Sequence, residues 1–398
     1  MSGWTGRVVQ VLATSTGGVG SHVVDLTRGL VAGGAQVTVC GPAATEDRFE
    51  FTATGGQFLP VEISAGTQPS DARAVGALRR ALATAAPDLV HAHGLRAGLV
   101  ASLTEKFPQH RSTAPRRPPQ RVSTARRPLV VTLHNAVLAR GLRGGASRLV
   151  ERIVAHAADV MLGASDDLVA RAVAVGAADA RLAPVAAPAL PPPQRSPAAV
   201  RAELGFDAAT PLLLSVGRLH PQKGYDVLVA AAARWRERTP VPQVVIAGNG
   251  PSYLDLTTRI STTRAPVTLL GHRRDVADLL EAADLALVTS VWEARQLFAQ
   301  EALRAGVPLV ATSVGGLPQL VGDAAVLVPP GDVDAVDRAV RGLLDDPAAR
   351  VRYAAAGAAR AAGWPTSAQT LAQVQEVYAE LTRAAGSDGT GRVSAPGG

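Results

Sequence analysis

Pro211-Leu-Leu-Leu-Ser-Val-Gly-Arg-Leu-His-Pro-Gln-Lys-Gly224 is an apolar run followed by a loop that carries two cations between two glycines. Pro211–Val216 has the length and composition of a buried strand, and the Ala-rich pattern after Gly224 is helical. Arg218 and Lys223 therefore fall on a loop at a strand's carboxyl end, where open α/β sheets take their ligands. Two cations at a helix N-terminus oppose the helix dipole, and a bound diphosphate would neutralise them. The chain opens in the same way. Arg7-Val-Val-Gln-Val-Leu12 runs into Thr14-Ser-Thr-Gly-Gly-Val-Gly20 and then a helix from about Ser21. Its glycines permit close backbone approach to a ligand. They lack the G-x-G-x-x-G spacing, and the second strand ends in Val39-Cys40-Gly41 with no acid for a ribose, which argues against a dinucleotide oxidoreductase.

Working outward, strand-like runs recur throughout. In the first half they are Arg7–Leu12, Gln36–Cys40, Asp88–His91, Pro128–Leu133 and Asp159–Leu162. In the second half they are Pro211–Val216, Gln243–Ala247, Val267–Leu270, Leu285–Val288, Pro308–Ala311 and Ala325–Val328. Helical stretches separate most of them, so the fold class is α/β with two doubly wound parallel sheets. The reading divides the chain into a first domain over 1–183, a proline-rich linker over 184–197 and a second domain over 198–365. A terminal helix over 366–384, packing back on the first domain, and a disordered tail over 385–398 complete it.

At 398 residues, 47% hydrophobic and 18% charged, the chain is too long for one core and too apolar for disorder. No apolar run reaches the length of a membrane span, and the start shows no signal-peptide pattern. Cys40 alone excludes an internal disulfide framework and a cysteine-cluster metal site, which fits a cytoplasmic location. Of 40 basic residues only Lys106 and Lys223 are lysines. The formal charge is +7, and the segment Lys106–Arg127 holds seven basic residues, four prolines and no acid. This insert is expected to be disordered, and it has two readings: peripheral contact with an anionic membrane on its inner face, or a loop with no partner. Nucleic acid is disfavoured because the segment has one aromatic residue and no stacking pattern.

Glu293 and Glu301 flank the start of a helix predicted from about Leu297. Carboxylates suit sugar and ribose hydroxyls, and free amides at Leu297, Phe298 and Ala299 could face a phosphate. Asp332-Val-Asp334 reads as a helix cap, and no G-x-S-x-G elbow occurs. His91 and His93 alternate at a strand end with no third ligand at metal spacing, so no metal site is expected.

In order along the chain stand Gly17-Gly18-Val19-Gly20, Asp88-Leu-Val-His-Ala-His-Gly94, Val131-Thr-Leu-His-Asn135, Gly217-Arg218 with Lys223, Gly248-Asn-Gly-Pro251, the Glu293/Glu301 pair and Gly315-Gly-Leu-Pro318. Together they resemble the retaining glycosyltransferases of family 4. The resemblance implies a GT-B architecture, two Rossmann-like domains with parallel sheets facing a central cleft. It implies a metal-independent, cofactor-free hexosyltransferase that moves sugar from a UDP- or GDP-sugar to an acceptor hydroxyl on an unidentified lipid or glycan. By the same resemblance Arg218 and Lys223 hold the donor diphosphate, Glu301 the ribose, and Glu293 the donor sugar. His134 lies near the anomeric carbon, and Gly17, Gly18 and Gly20 let the first loop approach the phosphate. His93, Arg96, Arg140 and Arg143 fall on the acceptor side.

The chain departs from that family in two places. Glu293-Ala-Arg-Gln296 stands where the family often has Glu-Gly-Phe-Gly, and Gln319 stands where Glu is common. Arg295 thus has two readings, contact with the donor's phosphates or sugar, or exposure to solvent. The same departure keeps a second function open, a catalytically inactive binder of nucleotide-sugars or other anionic ligands.

Overall fold

The computed structural model describes residues 3–15, 17–64, 71–106, 126–136 and 141–387. Two compact units divide the chain. One runs to Val185 and resumes at Pro365; the other is Ala186–Trp364.

The first unit is built on seven strands: β1 (Arg7–Leu12), β2 (Gln36–Gly41), β3 (Gln57–Pro60), β4 (Leu89–His93), β5 (Leu129–Leu133), β6 (Val160–Gly163) and β7 (Ala180–Leu182). They lie in the order β3-β2-β1-β4-β5-β6-β7, and every pairing is parallel. Helices cover both faces of such a sheet, which is why β4 and β5 are buried at every residue and read as continuous apolar runs. The second unit repeats the plan with β8 (Leu212–Val216), β9 (Gln243–Ala247), β10 (Val267–Gly271), β11 (Leu285–Val288), β12 (Leu309–Thr312) and β13 (Val326–Val328). Their order is β10-β9-β8-β11-β12-β13, again all parallel.

In both sheets the order reverses beside the first strand, at β1/β4 and at β8/β11. Chains leaving the two neighbouring strands there turn to opposite faces and open a crevice beyond their carboxyl ends. The loop after each first strand and the loop after each fourth strand are thus the places where this topology puts a site.

Eleven strands coincide with those read from the sequence, with ends that differ by no more than two residues. The two that were missed, β3 and β7, are sheet edges of four and three residues. β3 ends in Pro60 and β7 centres on Arg181, so neither shows the buried apolar pattern.

The helix Ser367–Ser387 belongs to the first unit and packs along the helix Gly18–Ala32. Its Tyr378 is fully buried, stands edge-on to Trp4, and meets His91 Nδ1 at 2.6 Å. Arg181 reaches the same helix through both carboxylate oxygens of Glu380. From Ala186 the proline-rich stretch is bonded along the second unit. Ala187 N–H donates to Gln300 Oε1 at 3.0 Å, Arg195 Nε donates to Asp278 Oδ2 at 3.0 Å, and Ser196 Oγ caps the helix Pro197–Glu203. Most of the basic insert, residues 107–125, lies outside the described residues. Its last two arginines are engaged: Arg126 with Asp159 and Arg127 with Glu105.

Tyr378→Phe leaves a fully buried imidazole nitrogen of His91 without its partner. The expected cost is about 1–3 kcal/mol, read as a lower urea midpoint with an unchanged m-value. An unchanged midpoint would show that this bond does not hold the terminal helix.

Candidate functional site

In the second unit the crevice at β8/β11 is built from four loops. After β8 the chain forms a tight turn over Pro221–Lys223 and enters the helix Tyr225–Ala232 through Gly224. Gly224 has φ +62, and a Cβ there would sit 2.1 Å from the carbonyl oxygen of Thr289, so this loop lies directly on the end of β11. Cross-bonds hold the two together: Thr289 Oγ1 donates to the Lys223 carbonyl at 3.1 Å, and Gln222 Nε2 donates to the Trp292 carbonyl at 2.9 Å. The loop after β12 approaches as closely. Gly315, at φ +51, would place a Cβ 2.0 Å from Glu293 O, and Gly316 N–H donates to that oxygen at 2.9 Å. From β9, the Asn249 carbonyl accepts from Leu219 N–H at 3.0 Å.

These contacts bring Lys223 Nζ to within 2.6 Å of Glu293 Oε1, and Ser290 Oγ donates to the same oxygen at 2.7 Å. Both side chains are mostly buried, at 19% and 10% exposure, which leaves the pair at the edge of solvent. Arg218 is exposed and forms no ion pair among the described residues. The neighbouring His220 is held below the usual histidine range by burial, and then by the charges of Arg218 and Lys223. The crevice is therefore cationic, with one carboxylate already matched to its lysine. Next to Glu293, the helix Leu297–Arg304 starts from Gln296 with no side-chain cap. Its first-turn amides have no intrahelical acceptor. Leu297 and Phe298 can offer these amides, but the Phe298 ring itself is committed to the core.

Glu301 is on the same helix and faces a different environment. It lines a cavity of about 290 Å³ walled by Pro188, Leu190, Leu280 and Arg304. No hydrogen bond or ion pair among the described residues links it to the Lys223–Glu293 pair. Burial pushes its carboxyl up to about 7, against the opposing pull of Arg304.

Arg295 follows neither of its two sequence readings. Its guanidinium stacks on Trp364 at 5.5 Å, a ring that Arg304 also approaches at 5.7 Å. Nε and Nη2 are buried with no acceptor, and burial with the charges of Arg304 and Arg360 lowers it to about 10. A cation thus occupies an apolar position, a direct result of the Ala294-Arg295-Gln296 departure.

In the first unit the crevice at β1/β4 gathers histidines. His93 ends β4, His134 follows β5, and His22 lies in the helix Gly18–Ala32 after β1. His93 and His134 are buried, with His93 Nδ1 at 3.3 Å from His134 Nε2. The His22 ring stands edge-on to both, with centroids 5.3 Å from His134 and 5.7 Å from His93. His93 Nε2 meets Gln10 Oε1 at 2.6 Å. Burial lowers His22 to about 4, and burial with mutual repulsion holds His93 and His134 well below the usual range. Sequence spacing found no third partner for His91 and His93. Folding supplies His22 and His134 to His93, while the ring nitrogens of His91 go to Tyr378 and Thr132.

Gly17 and Gly18 are exposed, and a Cβ at Gly17 would meet nothing within 4 Å, so this loop can approach a ligand. Gly20 serves packing instead: a Cβ there would lie 2.3 Å from the Phe49 ring. Arg96 Nε donates to Ser64 O at 3.4 Å. Arg140 and the side chain of Arg143 lie outside the described residues.

Residues 17–188 match the family described as glycosyl transferase 4-like domain, and residues 210–346 match glycosyl transferases group 1. A glycogen synthase of Mycobacterium tuberculosis is 38% identical over 172 residues, covering 41% of each chain. A D-inositol 3-phosphate glycosyltransferase of Mycolicibacterium paratuberculosis is 34% identical over 286 residues, covering 64% of this chain and 63% of that one. The match thus spans less than two thirds of these relatives. Among solved structures, Anabaena Alr3699/HepE in complex with UDP has a TM-score of 0.74 at 20% identity, over 94% of this chain and 100% of that one. Sucrose-phosphate synthase from Thermosynechococcus elongatus has 0.74 at 21%, over 95% and 100%. The fold is the two-unit, parallel-sheet GT-B class. Residues 17–188 and 210–346 thus each match a glycosyl transferase domain, the first 4-like and the second of group 1.

Two outcomes test the environments in the second unit. Arg295→Met removes a buried cation with orphaned donors and should stabilise the chain by on the order of 1 kcal/mol after loss of its contact with Trp364. A lower urea midpoint would contradict this. For Glu301 the folded carboxyl titrates higher than the unfolded one, so ionising it costs the folded state. Relative to Glu301→Gln, the wild type should lose on the order of 2 kcal/mol between about pH 5 and about pH 8. Parallel pH–stability curves would contradict the raised carboxyl.

Proposed function

We propose that the protein is a retaining glycosyltransferase that moves a hexosyl group from a nucleotide-diphosphate sugar to an acceptor hydroxyl, with no metal in the reaction. The observation that carries this reading is the Lys223–Glu293 pair beside exposed Arg218 at the carboxyl ends of β8 and β11. An ammonium has three donors. Glu293 takes one, which leaves the others and the Arg218 fork for a diphosphate. The free first-turn amides of the helix Leu297–Arg304 add a positive end for the same group.

In the proposed step the bond between the sugar's anomeric carbon and the phosphate oxygen breaks, and the nucleoside diphosphate leaves with the electron pair. The acceptor oxygen bonds to that carbon on the same face, and its proton passes to the leaving phosphate. Arg218 and Lys223 stabilise the charge that develops on the diphosphate, so the protein acts by positioning and electrostatics. Glu293 is placed to accept from a sugar hydroxyl. His134 is the first unit's candidate for the reacting carbon, and Glu301 is assigned the ribose. Several similar structures support a nucleotide-sugar donor, since Alr3699/HepE is described in complex with UDP, with UDP and glucose, and with UDP-glucose. Peripheral contact of 106–127 with anionic lipid stays part of the proposal, carried by five basic residues once Arg126 and Arg127 are set aside. No helix among the described residues is long and apolar enough to cross a membrane.

Donor hydrolysis measured across UDP- and GDP-sugars tests the reaction. Arg218→Ala and Lys223→Ala should each weaken binding of the matching nucleoside diphosphate about 10- to 100-fold and reduce hydrolysis further. His134→Ala should lower turnover with nucleotide affinity unchanged. Tight donor binding with no turnover on any acceptor would favour the inactive binder instead.

A further inference from the structure

We propose that His22, His93 and His134, all in the first unit, form a binding site for a divalent transition-metal cation of the zinc type. One ligand atom of each imidazole lies within 4.8 Å of the others. The three come from different elements: the helix after β1, the end of β4, and the residue after β5. Nitrogens held about 2.0–2.1 Å from a tetrahedral zinc ion stand about 3.3–3.4 Å apart. His93 Nδ1 and His134 Nε2 are already 3.3 Å apart, so one edge of the three-nitrogen face exists before any ion enters. An inward shift of the His22 ring by about 1.5 Å closes the other two.

The surroundings supply the outer partner that such a site needs. Gln10, fully buried on β1, places Oε1 at 2.6 Å from His93 Nε2. A carbonyl oxygen can only accept, so Nε2 carries the proton and Nδ1 presents its lone pair toward His134. Metal-bound imidazoles are oriented in this way by a hydrogen bond to the remote nitrogen. No carboxylate pairs with any of the three rings among the described residues, which leaves an all-imidazole set that suits zinc, copper or nickel over magnesium or calcium. Three protein ligands also leave one coordination position for water or a small anion.

The cation would lie on His134, the residue assigned to the reacting carbon, so occupancy should inhibit transfer. That consequence rests on the proposed function. Binding itself does not, and it is measured without turnover.

Chelator-stripped full-length chain titrated with zinc against a chromophoric competitor should bind one equivalent. His22→Ala should weaken it at least tenfold, whereas exposed His156→Ala and His272→Ala should leave it unchanged. Gln10→Leu should weaken it about 10- to 100-fold and Gln10→Glu should restore it, a contrast that a packing role for Gln10 would not give. Zinc-edge X-ray absorption on the loaded wild type, which needs no variant to fold, should show a shell of three imidazole nitrogens. Failure to bind an equivalent, an unchanged affinity in a folded His22→Ala, or an oxygen-only shell would overturn the site. Zinc binding without inhibition would keep the site and count against the role of His134.

Discussion

Both sheets reverse strand order beside their first strand, and the chemistry of this protein follows from that constraint. At β8/β11 the reversal opens a crevice into which the loops after four strands must turn. They meet at backbone-to-backbone distance, with Gly224 against Thr289 and Gly315 against Glu293. That close lacing fixes Lys223 on Glu293 with little freedom in either side chain. A largely buried pair of this kind contributes little net stability, because desolvation offsets the attraction, while loss of one partner leaves a costly unpaired charge. Its value is positional: an ammonium is held at the mouth of a crevice with donors to spare.

At β1/β4 the same geometry produces a different surface. Burial there keeps His22, His93 and His134 neutral, and the surrounding elements point their nitrogens at one another. One fold plan thus yields a cationic crevice in the second unit and a neutral imidazole cluster in the first. Arg295 shows what happens when sequence departs from that plan. Where the glycosyltransferases of family 4 often have phenylalanine, a guanidinium lies against Trp364 beside two other arginines.

Much of this was legible in the sequence. Central strands such as β4, β8 and β11 announce themselves because both faces are covered, and the cations of the Arg218–Lys223 loop stand out in a chain with two lysines. The edge strands β3 and β7 were not legible, since short strands with one open side lack the apolar run. The histidine cluster carried no signal either. Residues 22, 93 and 134 share no spacing, and only the parallel crossovers bring them together. Nor could composition tell that Gly20 serves packing against Phe49 while Gly17 stays open, since both are simply glycines of one loop.

Lys223, held by Glu293, is the group proposed to meet the terminal phosphate of a nucleoside diphosphate. Phosphorus NMR of bound UDP or GDP, whichever binds, reads this directly. The β-phosphorus resonance should shift on binding to the wild type and return toward its free position in saturated Lys223→Ala, with the α-phosphorus changing less. An identical β-phosphorus shift in wild type and variant would rule out that contact.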